Sequence, residues 1–200
     1  MTKTLETKNY IVEIAVDEDP LNPRENNCNF GTIVYGHRRY ILGDEEAWNT
    51  DSYGNWDEWL EGELGENVVA LPVYLYDHSL QSLSTESFVG RAPHAEWDSG
   101  QAGWIYVTHE DIIREYGELD KEKATKVLEA EVEEFNRYIQ GEICWVEVAK
   151  KDICPECYTT RIVCIDSLYD IHHDDVEEII KAELGAYLPE DELQALLEQI

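Results

Sequence analysis

Between Gly103 and Gly141 the hydrophobic period changes from two to 3.6, and a chain with that change cannot be all helix or all sheet. Gly103–Val107 (Gly-Trp-Ile-Tyr-Val) is branched and aromatic and reads as a strand. Thr108 follows as a helix N-cap, with Asp111 three residues on and Gly117 as the stop after Tyr116. Asp120 then caps a longer helix, Lys121–Ile139, whose apolar positions Ala124, Val127, Leu128, Val132, Phe135 and Ile139 keep the helical period. Gly141 ends it.

Strand patterns lie on both sides of this helical block. Tyr10, Val12, Ile14 and Val16 alternate within Asn9–Asp17, and two prolines break the run by Pro23. Gly31–Tyr35 and Arg39–Leu42 read as a hairpin turning at Gly36-His37. Trp56, Trp59 and Leu60 at i, i+3, i+4 predict a short amphipathic helix. Val68–Tyr76 is the most strand-like run, and Pro72 inside it requires an edge or a bulge. A long polar connection, Asp77–Gln101, follows. Ile143–Val148 and Thr160–Ile165 read as a last hairpin around Cys154-Pro155-Glu156-Cys157. Asp174–Leu184 and Pro189–Ile200 predict two acidic helices, striped by Val176, Ile179, Ile180 and Leu184 and by Leu193, Leu196, Leu197 and Ile200. The expected fold class is α+β: a mostly antiparallel sheet, helices on one side, and a C-terminal acidic helical pair. The expected organisation is a main domain over 1–165 and an acidic helical tail over 166–200 that packs on it or stands apart.

Apolar residues make up 43% of the 200, enough for a core, but the net charge is −29. A field of that sign repels phosphate backbones and anionic membranes, and it steers a basic partner inward. High solubility or a halophile-like surface accounts for the same charge. From Asp166 to Ile200 there are eleven carboxylates and one cation, Lys181. Carboxylates at helical spacing recur about every 5.4 Å, comparable with about 7 Å over two nucleotides of one strand. Glu129, Glu133 and Glu134, and Asp174, Asp175, Glu177 and Glu178, are the candidate partner-binding residues. The first residues carry no apolar run behind Lys3, and no apolar stretch is long enough to span a bilayer, so a cytoplasmic setting is expected.

Three other groups carry chemistry. Cys154-x-x-Cys157 is half of a tetrahedral thiolate site; Cys144 and Cys164 would complete a structural zinc, with His172 or His173 as substitutes. Reduced thiols and core cysteines explain the same residues, and five cysteines without a secretory signal suit a reducing compartment. Asp77-His78-Ser79 and Trp97-Asp98-Ser99, with His94, are the residue types of a metal-dependent hydrolase or a His-oriented nucleophile. Loop-stabilising Asx and Ser turns explain them more simply, and no complete catalytic motif is present. His37-Arg38-Arg39 would bind an anion or pair with Asp44 and Glu45; Trp48, Trp56 and Trp59 would be interface anchors or core.

Two stretches carry a resemblance. One runs Asp17-Glu18-Asp19-Pro20, Pro23-Arg24-Glu25, Gly31-Thr32, His37-Arg38-Arg39-Tyr40 and Leu42-Gly43-Asp44. The other runs Leu71-Pro72-Val73-Tyr74-Leu75-Tyr76-Asp77-His78-Ser79, Trp97-Asp98-Ser99-Gly100-Gln101 and Gly103–Val107. Together they resemble a family of small acidic proteins carried by bacteriophages and plasmids, over roughly Asn9–Gly141; the region after Gly141 departs from it. The resemblance implies a counter-defence setting of the anti-restriction or anti-CRISPR type. The expected function is a non-catalytic inhibitor that presents a DNA-mimicking surface to a basic, nucleic-acid-binding host protein, needing no cofactor and touching neither nucleic acid nor membrane. A homodimer is compatible with it. The alternatives are the hydrolase, acting on a nucleotide or nucleic-acid signal, and a zinc-stabilised interaction module.

Overall fold

Pro72 lies in the middle of a ten-residue strand, and the sheet is built around that constraint. The computed structural model describes residues 2–26, 28–47 and 55–200, and its contacts divide the chain into two units, Asn22–Gln140 and Met1–Leu21 with Gly141–Ile200. Both units mix strands and helices, and the fold class is α+β. In the first unit, β5 (Val68–Asp77) pairs with β7 (Ser99–Thr108) from Val68 to Tyr76. On its other side, among the described residues, only Tyr74–Asp77 are covered, by β6 (Gln81–Ser84). Pro72 therefore sits in the half of β5 that is an edge, where its missing N–H leaves no ladder bond unmade. The register shifts between Val73 and Tyr74, so a bulge follows the proline directly.

The sheet order is β4-β3-β7-β5-β6, with β3 at Thr32–Tyr35 and β4 at Glu45–Glu46. The β3–β4 pairing is parallel and the others are antiparallel. The expected hairpin Gly31–Leu42 does not form. Gly36 instead donates its N–H to the Ala102 carbonyl, Leu42 is buried, and the chain returns at Glu45 alongside β3. The connection Asp77–Gln101 also carries more order than its polarity suggests: β6, the one-turn helix α3 (Ala95–Asp98) and the start of β7 all fall inside it. Alternation sorts the strands. Ile33, Tyr35, Val73, Leu75, Ile105 and Val107 face Leu128, Val132 and Phe135 of α5 (Lys121–Ile139). Each such side chain contributes about 1.5–3 kcal/mol by leaving water. Val34, Trp104 and Tyr106 face the other way, onto Trp56, Trp59 and Leu60 of α2 (Trp56–Glu63). The helices of this unit thus lie on both faces of the sheet rather than one, because its strands are apolar on both sides. Trp59 is a core residue, and the half-buried Trp56 packs against it in edge-to-face contact at 5.6 Å. Trp48 lies outside the described residues.

The caps read from sequence are present. Thr108 Oγ1 accepts the N–H of Asp111 at the start of α4 (His109–Tyr116), Asp120 accepts from Lys123, and Gly117 takes φ 78° after Tyr116. A further short helix, α1 (Pro23–Asn26), begins on a proline.

The second unit is a four-stranded antiparallel sheet, β1-β2-β8-β9: Thr2–Glu6, Tyr10–Val16, Ile143–Ile153 and Thr160–His172. Leu5, Val12, Ile14, Val146 and Val148 share one face and pack against Val176, Ile180, Leu188 and Leu196. The chain from 166 onward belongs to this unit, and a cut at 165 would fall inside β9. The C-terminal segment differs from two regular helices. A 3-10 turn (His173–Asp175), one α turn (α6, Val176–Ile179), a π turn (Ile180–Leu184) and another 3-10 turn (Gly185–Tyr187) precede the regular α7 (Glu190–Leu197). Of Leu184 only the backbone is described. No helix of the described residues is long and apolar enough to cross a membrane.

Candidate functional site

The strand end at Asp77 and the turn at Asp98 meet at a cleft of about 410 Å³, lined by His37, Arg39, Asp77, Trp97, Asp98 and Gln101 among others. β5 carries Asp77 to its last position, and α3 delivers Trp97 and Asp98 just before β7 begins. The chain enters α3 through His94 at φ 57°, and Ser99 Oγ closes the helix end by donating to the carbonyl of Ala95 at 2.6 Å. His78 Nδ1 lies 2.8 Å from Asp98 Oδ2. With that nitrogen donating, Asp98 fixes the orientation of the ring. Tyr76 stacks on His78 at 5.9 Å, and its hydroxyl donates to the Pro93 carbonyl at 2.9 Å. His94 stacks on the same imidazole at 5.7 Å. Tyr40 donates its hydroxyl to Asp77 Oδ2 at 3.2 Å while its ring lies on His37 at 5.0 Å. Trp97 is 88% exposed, an aromatic surface beside carboxylates and Arg39. The fold thus brings together two loops that are twenty residues apart in sequence, and it sets a carboxylate-oriented histidine beside them.

Arg38 and Arg39 are the expected partners of Asp44, but Arg24 holds it. Nε and Nη2 of Arg24 donate to its two oxygens, and Nη1 donates to Glu131 at 2.9 Å. Burial alone would lower the guanidinium pKa, but the hydrogen bonds to Asp44 and Glu131 hold it above the ordinary value. Glu131 also accepts the N–H groups of Phe30 and Gly31, and Asp44 that of Ile33. Pro23-Arg24-Glu25, Gly31-Thr32 and Gly43-Asp44 are therefore joined in one structural network. Arg24 carries no signal of burial in its local sequence, and Glu131 reads there as one of many surface acids on α5.

The acidic candidates fall into two groups. On α5, Glu129, Glu133 and Glu134 are exposed, but Glu133 lies 3.5 Å from Arg137, and Lys126 pairs with Glu122 at 2.8 Å on the same helix. In the C-terminal segment Asp174, Asp175, Glu177 and Glu178 are all exposed, with Lys181 held by Glu177 at 2.5 Å. Glu183, Glu190, Asp191 and Glu198 extend the exposed acidic surface. Glu192 is held below the usual carboxylate range by hydrogen bonds from Thr7 and Asn9.

The four cysteines of the expected zinc quartet are not brought together. Cys144 is 2% exposed in the sheet core, at the opposite end of β8 from Cys154, a separation of about 30 Å by strand rise. Cys164 lies opposite Ala149, partway down the ladder. His172 is at the far end as well, paired across the sheet with Ile143; its Nε2 is 3.0 Å from Glu142, and its Nδ1 accepts the N–H of Asp174. Among the described residues no group of three or more His, Cys, Asp or Glu side chains is placed to hold a metal ion. Burial pushes the Cys144 thiol up, whereas hydrogen bonds from Thr159 and Cys154 bring Cys157 down to about 7.

No family model, no curated protein and no solved structure matches this chain.

Proposed function

We propose that the protein is a non-catalytic inhibitor carried by a mobile element, working in the cytoplasm of a bacterial host. Its carboxylate surface occupies the basic groove of a nucleic-acid-binding defence protein. The observation that carries this reading is the C-terminal segment, where Asp174, Asp175, Glu177, Glu178, Glu183, Glu190, Asp191 and Glu198 are exposed and Lys181 is the one cation of the sequence after Asp166. The α5 row is a weaker mimic, because Lys126 and Arg137 interrupt its charge. Such an interface is built on counter-charge, so it weakens steeply with salt and gains its rate from steering. The test is capture of host proteins on the immobilised chain with elution by a salt gradient, repeated with D174K/D175K/E178K. The reading expects a nucleic-acid-binding protein whose retention is lost in the triple variant. A partner retained equally by both, at the same salt, sinks it.

A second reading rests on the His78–Asp98 contact at the cleft. An imidazole so oriented is a general base, and Asp77 and Asp98 supply the acidic groups of a hydrolase acting on a nucleotide or nucleic-acid signal. Turnover of a nucleotide panel by the wild type and its loss in His78→Gln would favour it; no turnover on any member removes it.

A further inference from the structure

The β8–β9 hairpin is longer than the sheet that carries it. β2 reaches only to Lys150, where Tyr10 is its partner, but the β8–β9 ladder continues through Lys151↔Ile162, Asp152↔Arg161 and Ile153↔Thr160. Cys154 and Cys157 stand at the tip. The turn is closed by Cys154 N–H to the Thr159 carbonyl at 3.0 Å and by Tyr158 N–H to the Cys154 carbonyl at 2.9 Å. Pro155 stiffens it, and Tyr158 adopts φ 57°, a conformation that favours glycine. The arm is apolar for an exposed element: Tyr158 is 79% and Ile162 60% exposed, and Ile153 is exposed beside them.

Two thiols in a Cys-x-x-Cys turn are half of a closed tetrahedral site. The remaining ligands do not come from this tip, since no third Cys, His, Asp or Glu among the described residues joins the pair. We propose that Cys154 and Cys157 bind Zn²⁺ together with the same pair from a second copy, so that one metal ion joins two chains tip to tip. Local charge favours this place. The chain as a whole has 15 cations against 44 carboxylates. From Lys150 to Val163, however, Lys150 and Arg161 balance Asp152 and Glu156, while Lys151 is held by Glu6. Two copies that meet here therefore bring together a locally neutral stretch of a strongly acidic chain, where the repulsion between copies is weakest. A twofold axis through the metal makes the contact isologous, with Ile153, Tyr158 and Ile162 of each arm beside the site. The four thiols give their protons to solvent as the metal binds.

The full-length protein, reduced with a phosphine and freed of metal, is titrated with Co²⁺ and with Zn²⁺ while absorbance and sedimentation are followed. The proposal expects tetrahedral Co²⁺–thiolate absorption saturating at one metal per two chains, a monomer-to-dimer shift at the same ratio, and reversal by a chelator. Cys154→Ser and Cys157→Ser should each abolish both signals. Cys28→Ser and Cys164→Ser should leave both intact, and circular dichroism checks that every variant is folded. Saturation at one metal per monomer, no metal uptake, or a dimer that survives the chelator or either tip substitution overturns it. A dimer lost only to reductant would be a disulfide and overturns it equally.

Discussion

Arg24 and Asp44 form a two-pronged ion pair, Nε to Oδ1 at 3.0 Å and Nη2 to Oδ2 at 2.5 Å, with the arginine side chain 3% exposed. The fork closes the chain between α1 and β4 onto the start of β3, and Glu131 ties the same guanidinium to α5. Arg24→Ala leaves two poorly solvated carboxylates without their cation. It should cost about 3–5 kcal/mol in a urea unfolding curve. Arg24→Lys should recover little of this, because an ammonium cannot make the fork. A loss below about 1 kcal/mol for the alanine variant would mean that the network is solvated.

Gly103 faces Tyr35 across the β3–β7 ladder. A Cβ there would run into the carbonyl oxygen of Val34, which is backbone and cannot turn aside. Gly103→Ala should destabilise by the upper end of the roughly 1–3 kcal/mol typical of overpacking. The lowered melting temperature should come with a changed tryptophan spectrum, since Trp104 is the next residue.

Glu13 and Glu147 stand directly opposite each other on β2 and β8. Like charges at that register oppose pairing. Glu147→Lys should therefore stabilise the protein by about 0.2–1 kcal/mol relative to the wild type. The gain should shrink as salt is raised; a gain unaffected by salt would point to packing.

Alkylation should separate the thiols. In the metal-free protein Cys157 should react first, with a rate that rises through a midpoint near pH 7, its position lowered by Thr159. Cys144, buried and pushed up, should react only on unfolding. Mass-resolved iodoacetamide labelling at several pH values reads both.

Stability should fall at alkaline pH. Burial raises Cys144, Tyr35, Tyr106 and Tyr116 in the folded protein, and Glu46, Glu45 and Glu115 add to the three tyrosines in turn. Unfolded, these groups lose their protons near the ordinary values, about 8.5 for a thiol and about 10 for a tyrosine. Above those values the unfolded chain binds fewer protons than the folded one, so the stabilisation present at neutral pH is lost as pH rises toward the folded values. Glu192 acts with the opposite sign: its contribution is present at neutral pH and is lost as pH falls through its lowered folded value. Urea midpoints across the alkaline range check the first statement, and Glu192→Gln, which should flatten the acid limb, checks the second.

Local sequence determined the elements whose causes are local. Thr108, Asp120 and Gly117 cap helices with their own side chains or with their own φ, and Pro72 announced an edge or a bulge from its missing N–H, of which the sheet has both. The carboxylate-rich segment after Asp166 was equally legible, because charge is additive along a chain. Tertiary structure alone decided which groups meet. It gave Asp44 to Arg24 rather than to Arg38 or Arg39, made Glu131 a partly buried partner, and carried Asp98 to His78 across twenty residues. It also separated Cys144 from Cys154, which stand at opposite ends of one strand. The physical reason is the same in each case. Capping, turn and periodicity energies act within a few residues, whereas an ion pair or a ligand set depends on the register of strands and on the faces they bury, which only the packed sheet defines.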